Sequence, residues 1–286
     1  MGLLIGTTSA MAAVRLTYPV GGSPTPVYWP ASAFPIAYAI DRRAANLLPD
    51  GERAVARAFA AWTEIPEANL SFRPMGVLDG VTAGADGKNT ISVADDLFKG
   101  QGAIAMTTNW HETDSGKLIE ADIQIDPSIV SGGYNVQQAI EHEIGHLLGL
   151  DHSPVLSSVM YPYVGKDAAA SLLNSDDRIG ISNLYPRNDV SLNGATLKGR
   201  VIGNDGGIFA AQVVALNQRG EPVATGLTDA NGEFVLQSVP DGMYRVYAEP
   251  LDGPVDPRNF DGVWRQAKVT SFPTQFCGSP ACLVRK

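Results

Sequence analysis

The stretch AIEHEIGHLLGLDHS, residues 139–153, holds three of the chain's four histidines and two glutamates. Around it, Val136, Ile140, Ile144 and Leu147 or Leu148 recur at helical spacing and predict a helix over NVQQAIEHEIGHLLGL. On that helix His142 and His146 lie one turn apart, so both imidazoles leave the same face. Two ring nitrogens so placed can meet a metal at about 2.0–2.1 Å. Glu143 points along the flank, where a carboxylate reaches a metal-bound water without ligating the metal. Gly149 can take the left-handed conformation that ends a helix, and the turn returns His152 as a third ligand. Three neutral imidazoles leave one tetrahedral position open, the pattern of a catalytic rather than a structural zinc site. Zinc held this way brings the pKa of its water to about 7 and polarises a carbonyl. Glu143 is then the general base that takes the water's proton and passes it to a leaving amine, while the metal carries most of the oxyanion charge. A lone pair of histidines one turn apart is usually a helix surface or a packed core. The full H-E-x-x-H-x-x-G-x-x-H in a chain with 4 histidines is a much more specific signal.

The 286 residues, 44% hydrophobic and 18% charged, allow one large domain or two of ordinary size with a buried core. A net charge of -9 and the lack of any basic run argue against binding nucleic acid or an anionic membrane. No apolar run is long enough to span a bilayer. Residues 1–13, MGLLIGTTSAMAA, read as the remnant of a secretory signal. Ala10-Met11-Ala12 gives a small-x-small cleavage pattern and a mature start near Ala13. The basic n-region is missing and the apolar core is short, so an ordinary disordered terminus is the competing reading. In an exported chain the two cysteines, Cys277 and Cys282, would close a small disulfide loop across Gly278, Ser279 and Pro280. Its effect would be local.

Elsewhere PIAYAI, LSFRPM and NTISVADD read as strands. DGERAVARAFAAWTEI reads as a helix through Val55, Phe59 and Trp62. GAIAMTTNWHETDSGKLIEADIQID reads as two strands joined by a polar turn, with Ile119, Ala121, Ile123 and Ile125 alternating inward. NSDDRIGISNLYP reads as a last helix capped by Asn174 or Ser175, with Pro186 beyond its end. After Pro186 only short alternating strands with Asn-Gly, Asp-Gly and Pro turns remain, the pattern of a β-sandwich. A boundary is expected in PRNDVSLNG, residues 187–195.

HEIGHLLGLDHS, SSVMYPY and LNSDDRIGISNLYP together resemble the matrixin branch of the metzincins, the group of matrix metalloproteinases and their bacterial relatives. The likeness runs from PIAYAI to Tyr185. It implies an α+β catalytic domain over residues 14–186, a mixed five-stranded sheet with three helices. It implies one catalytic Zn2+ on His142, His146 and His152, catalysis by Glu143, and a Met-turn at Met160 whose thioether packs beneath the metal. An ordinary core methionine is the commoner fate of a single Met. One of Asp176 and Asp177 would tie the last helix to that turn, or else the pair is a solvated helix N-terminus. The resemblance makes GAIAMTTN the cleft's edge strand, with Ala103, Ile104 and Ala105 pairing with an extended substrate. Tyr161, Pro162 and Tyr163 would form the opposite wall. The implied partner is a protein or peptide substrate, the implied location secreted or at the cell surface, and the default state monomeric.

Several departures shape these expectations. Only His111 is left for the second zinc of animal matrixins, so that site should be absent and His111 should be a surface residue or a substrate contact. Ca2+ sites have no clear match; Asp79, Asp86, Asp114 and Asp122 read as turn formers before they read as ligands. The tyrosine after the Met-turn proline comes one position early. Glu141 either faces solvent or tunes the charge of the site. No inhibitory pro-segment is visible upstream. CGSP at Cys277 has the local shape of a cysteine switch but lies at the wrong end of the chain. GRVIGNDG and TDANGEFVLQSVPDGMYRVYA resemble a carboxypeptidase regulatory-like, transthyretin-like domain over 196–252, a spacer or a binding module. Residues 253–286 fit that domain poorly and read as an extension, in a chain that would be a fragment of something longer. The competing functional reading is a catalytically silent surface adhesion protein that binds through the sandwich. A narrower variant is a protease that processes its own linker.

Overall fold

The computed structural model describes residues 14–20, 23–95, 102–165, 173–187, 194–278 and 282–283. Its first strands, β1 (Thr17–Val20) and β2 (Ser23–Pro26), pair antiparallel. Next come β3 (Ile36–Asp41), α1 (Arg42–Leu47), α2 (Glu52–Thr63), β4 (Phe72–Leu78), β5 (Asn89–Val93), β6 (Ala105–His111) and β7 (Leu118–Ile125). α3 (Ser128–Ser131), α4 (Val136–Leu147) and α5 (Ser175–Leu184) follow. The sheet runs β4-β3-β5-β7-β6; β6 is antiparallel to β7 and every other pairing is parallel. This is a mixed five-stranded sheet with β6 at one edge. Ile40, Ile91 and Ile123 of the sheet, Val55, Phe59 and Trp62 of α2, and Ile140 and Ile144 of α4 share one buried cluster.

Two details differ from the sequence reading. Beyond the three expected helices the described residues form two short α-helices. α1 forms because the Asp41 side chain accepts the Arg43 N–H at its start, and α3 is a single turn after Pro127. Ile119 does not point inward. It is 58% exposed, whereas Leu118 and Ala121 are buried. Trp110 pairs with Glu120 and His111 with Leu118, so Ile119 is the extra residue of a bulge that resets the alternation.

Past Gly194 the chain forms β8 (Ala195–Gly203), β9 (Gly206–Gly207), β10 (Gln212–Leu216), β11 (Pro222–Leu227), β12 (Glu233–Val239), β13 (Arg245–Glu249), β14 (Gln275–Phe276) and β15 (Cys282–Leu283). They make two sheets, β11-β10-β13-β14 and β12-β8-β15, with β9 on β8. Val201, Phe234 and Leu236 of one sheet and Val213, Ala224 and Ala248 of the other lie in one buried cluster. Cys277 is disulfide-bonded. The expected signal remnant, residues 1–13, and most of the expected linker lie outside the described residues. Among the described residues no helix is long and apolar enough to cross a membrane.

The residues past β13 pack on other parts of the chain. Val255 and Phe260, which follow β13, share a third buried cluster with Val14 before β1 and with Leu227 and Leu251. The two strand-rich parts also meet at α5. The Asp176 carboxylate accepts the Thr225 N–H at 2.7 Å, and the Ser238 hydroxyl donates to the Asn183 side chain at 2.6 Å.

Candidate metal centre and cleft

The site is built on α4. Asn135 caps its start, accepting the Gln138 N–H at 3.1 Å. At its end Gly149, with φ 96°, allows the reversal: Leu150 N–H donates to the Gly145 carbonyl and Gly149 N–H to that of His146, each at 2.9 Å. The Leu147 and Leu148 carbonyls, and that of His146 a second time, meet donors from far along the chain. The Trp29 indole donates to Leu147 O at 2.8 Å, the Tyr185 hydroxyl to Leu148 O at 2.6 Å, and the Asn109 amide to His146 O at 3.1 Å. A helix end satisfied on all sides fixes the direction in which the next residues leave.

That direction brings His152 back to the helix. The His146 Nε2 lies 3.0 Å from the Nε2 of His142 and 3.3 Å from that of His152. Tetrahedral ligands at about 2.0–2.1 Å from zinc sit about 3.3–3.4 Å apart, so the spacing suits one ion. The Nδ1 of His142 faces the Val159 carbonyl at 2.7 Å and that of His146 the Leu150 carbonyl at 2.8 Å; the Nδ1 of His152 faces the Asn259 carbonyl. A carbonyl can only accept, so each Nδ1 carries the proton and each Nε2 turns a bare lone pair to the centre. Burial, then the neighbouring imidazole, pushes each of the three pKa values down to about 3, which keeps the rings neutral. Among the described residues these three form the single group of His, Cys, Asp and Glu side chains close enough to hold a metal.

Glu143 is buried beside them. Its carboxylate accepts the Thr107 hydroxyl at 2.7 Å, and the same hydroxyl reaches the Glu143 carbonyl at 2.9 Å. Burial raises its pKa to about 7, against the lowering effect of that hydroxyl. The Met160 side chain packs so closely on Gly145 of α4 that a Cβ there would overlap the sulfur. Asp177 holds the Met160 turn, accepting the Ser158 hydroxyl and the N–H groups of Val159 at 3.0 Å and Met160 at 3.3 Å. Asp176 instead accepts the Ser153 hydroxyl at 2.8 Å. Both carboxylates are buried, so neither is a solvated helix terminus.

Ala103, Ile104 and Ala105 line a cleft of about 350 Å3 together with Pro162, Tyr163, Glu143 and the three histidines. Tyr161 does not line it. Its ring packs against the cluster of Val14 and Phe260, and Val164 completes the wall instead. His111 ends β6 half-buried, stacked on Tyr18 at 4.9 Å, rather than free on the surface. Glu141 is fully buried and accepts the Gln137 amide at 2.8 Å, so it does not face solvent. The carboxylates considered for calcium have protein partners where the structure shows them: Asp79 takes Arg42, Asp86 takes Lys88, and Asp122 takes Thr90 and Gly84 N–H. Thr107, Asn109 and Asn259 were not singled out from sequence. Thr107 and Asn109 share one face of β6 by the two-residue period of a strand, a signal available once that strand is set against α4.

A mixed sheet with an antiparallel edge strand over an H-E-x-x-H helix, closed by a glycine turn and a methionine turn, defines a metzincin-type domain. The particular branch follows from comparison: the family model described as Matrixin matches residues 28–186, more than half of the 286 residues, and the chain belongs to that family. Metalloendoproteinase 2-MMP of Arabidopsis thaliana is 29% identical over 181 residues, 59% of this chain and 45% of its own length. Metalloendoproteinase 1 of Glycine max is 29% identical over 162 residues, 55% of this chain and 52% of its own. Macrophage metalloelastase of Oryctolagus cuniculus is 30% identical over 156 residues, 51% of this chain and 32% of its own. The chain therefore spans about half or less of the length of these relatives.

Proposed function

We propose that the protein is a zinc-dependent endopeptidase acting on extracellular proteins or peptides. The observation that carries this reading is the convergence of three Nε2 lone pairs, each fixed by a carbonyl at Nδ1, beside a buried carboxylate in an open cleft. When bound to His142, His146 and His152, zinc supplies Lewis acidity toward the attacking water and the scissile carbonyl. Glu143 takes the water's proton, and its raised pKa suits a group that must hold that proton and then release it. The same carboxylate delivers it to the leaving nitrogen. Thr107 keeps the carboxylate oriented. The substrate adds as a strand along the free edge of β6, beside Ala103, Ile104 and Ala105, and the side chain beyond the scissile bond enters between α4 and the wall of Pro162, Tyr163 and Val164. The Met160 thioether packs beneath the metal, a placement supported by its close contact with Gly145 of α4.

The reading extends to the remaining parts with less direct support. Residues 196–252 form a carboxypeptidase regulatory-like, transthyretin-like sandwich, supported by two sheets around one core. Cys277 pairs with Cys282, the chain's other cysteine, in keeping with export. The test is cleavage of a mixed-sequence peptide library by purified protein, with metal content measured on the same sample. About one zinc per chain, with cleavage that disappears in Glu143→Gln, is the expected result. Zinc bound without cleavage by wild-type protein would overturn the enzyme reading in favour of a silent binding protein.

A further inference from the structure

The Nδ1 acceptors of the three imidazoles have different origins. Those of His142 and His146, Val159 and Leu150, belong to the stretch matched by the family, whereas that of His152 is Asn259, 107 residues further along the chain. We infer that the segment Pro254–Val263 is a working part of the metal centre, and that its Asn259 carbonyl positions His152. The inference rests on the zinc reading above and adds a region outside the matched domain to it.

Three sets of contacts hold that carbonyl in place. The turn Pro257–Asn259 is closed by a reciprocal cap: the Asn259 side chain accepts the Asp256 N–H at 2.9 Å, and the Asp256 carboxylate accepts the Arg258 N–H at 2.8 Å. Phe260, the next residue, is fully buried. Beyond it, Asp261 N–H donates to the Asp151 carboxylate at 3.1 Å and Val263 N–H to the Thr17 carbonyl at 3.2 Å. Asp151 is itself locked to the ligand loop, accepting the His152 N–H at 2.8 Å. Gly262, at φ 59°, sits so close to Thr17 that a Cβ would overlap its carbonyl oxygen. The segment also reaches the cleft wall, since the Asn259 amide donates to the Tyr163 hydroxyl at 3.1 Å and that hydroxyl donates to Pro254 O at 3.3 Å. An acceptor at Nδ1 fixes the tautomer and rotation of a ligating imidazole and raises its basicity, and losing such a partner typically weakens metal binding about 10–100-fold.

The experiment uses the full chain in four variants. Gly262→Ala drives the segment off Thr17, Phe260→Ala removes its anchor, and Asp256→Ala with Asn259→Ala opens the turn while leaving every core side chain in place. Leu236→Ala, in the sandwich core away from the site, controls for general loss of stability. Zinc affinity is measured by chelator competition, and the visible spectrum of the Co2+-substituted protein reports the ligand geometry. The expected result is about 10–100-fold weaker zinc binding and an altered cobalt spectrum in the three segment variants, with both unchanged in Leu236→Ala. If Gly262→Ala or Phe260→Ala fails to fold, the double variant decides. Wild-type affinity and an unaltered cobalt spectrum in the folded segment variants would overturn the inference and leave the zinc reading standing. Wild-type protein that binds no zinc would overturn both.

Discussion

Replacing Asp176 by Asn should flatten the acid side of the protein's stability profile. The Asp176 carboxylate is enclosed, bonded at 2.8 Å to the Ser153 hydroxyl and at 2.7 Å to the Thr225 N–H. Burial first, and the adjacent Asp177 charge second, raise its pKa from 3.8 to about 7. In the unfolded chain the group ionises near 3.8, so between these values the folded protein keeps a proton that the unfolded chain has released. Stability is therefore greatest below the lower value, falls as pH rises through the window and levels off above about 7. One proton is worth about 1.4 kcal/mol per pH unit, so the loss across the window is on the order of 4 kcal/mol. Asparagine keeps both contacts, accepting from Thr225 and donating to Ser153, and has no proton to lose. Urea unfolding of the two proteins from about pH 4.5 to 8 isolates what the substitution changes, because contributions common to both cancel in the difference. Asp177 relaxes in the same sense once its neighbour is neutral, so the difference belongs to the pair. Wild-type stability should decline relative to the variant by about 1.4 kcal/mol per unit in mid-window. Parallel profiles would show that burial does not hold Asp176 protonated, and the argument would fail.

Thr107→Val removes the hydroxyl that holds the Glu143 pKa down. The acid limb of the kcat/KM profile should then move to higher pH with little change on the alkaline side, and an unmoved limb would count against Glu143 as the titrating base. Asp177→Ala strips the acceptor from the Ser158 hydroxyl and from the Val159 and Asn174 N–H groups. At about 1–3 kcal/mol per stranded group and roughly 2–4 °C per kcal/mol, Tm should fall by about 6 °C or more, and scanning calorimetry would detect it. Gly149→Ala puts a side chain at φ 96° with its Cβ 2.7 Å from the Val27 carbonyl oxygen. The strain of about 1–3 kcal/mol falls on the turn that returns His152, so zinc should dialyse away faster against a chelator, and wild-type retention would argue that the turn tolerates the change.

How much of this could be read from the sequence depended on how far apart along the chain the cooperating residues lie. His142, Glu143 and His146 are placed by the pitch of one helix, and His152 by one glycine turn, so spacing alone indicated a metal-binding group. The five-stranded sheet was legible as strands and as resemblance, but its register was not. Ile119 was misplaced because the outward turn of its side chain comes from a bulge, and a bulge belongs to the pairing of β6 with β7 rather than to either strand. Tyr161 was misplaced for a similar reason. It is drawn from the cleft wall onto an apolar cluster that joins Val14, early in the chain, to residues as distant as Leu227, Leu251 and Phe260.

The three Nδ1 partners arrange this dependence in order. His146 finds its carbonyl 4 residues away, His142 finds one 17 residues away, and His152 one 107 residues away. The first is fixed as soon as α4 and its cap form. The second needs the Met160 turn, which in turn needs the Asp177 carboxylate from α5. The third needs the chain past β13 to return to the ligand loop, a contact whose closure carries the largest entropic cost of the three. Orienting all three imidazoles therefore draws on folding at every range, from one helix cap to contacts across most of the chain. That places a part of the chain outside the family match in direct contact with a histidine of the motif most legible in the sequence.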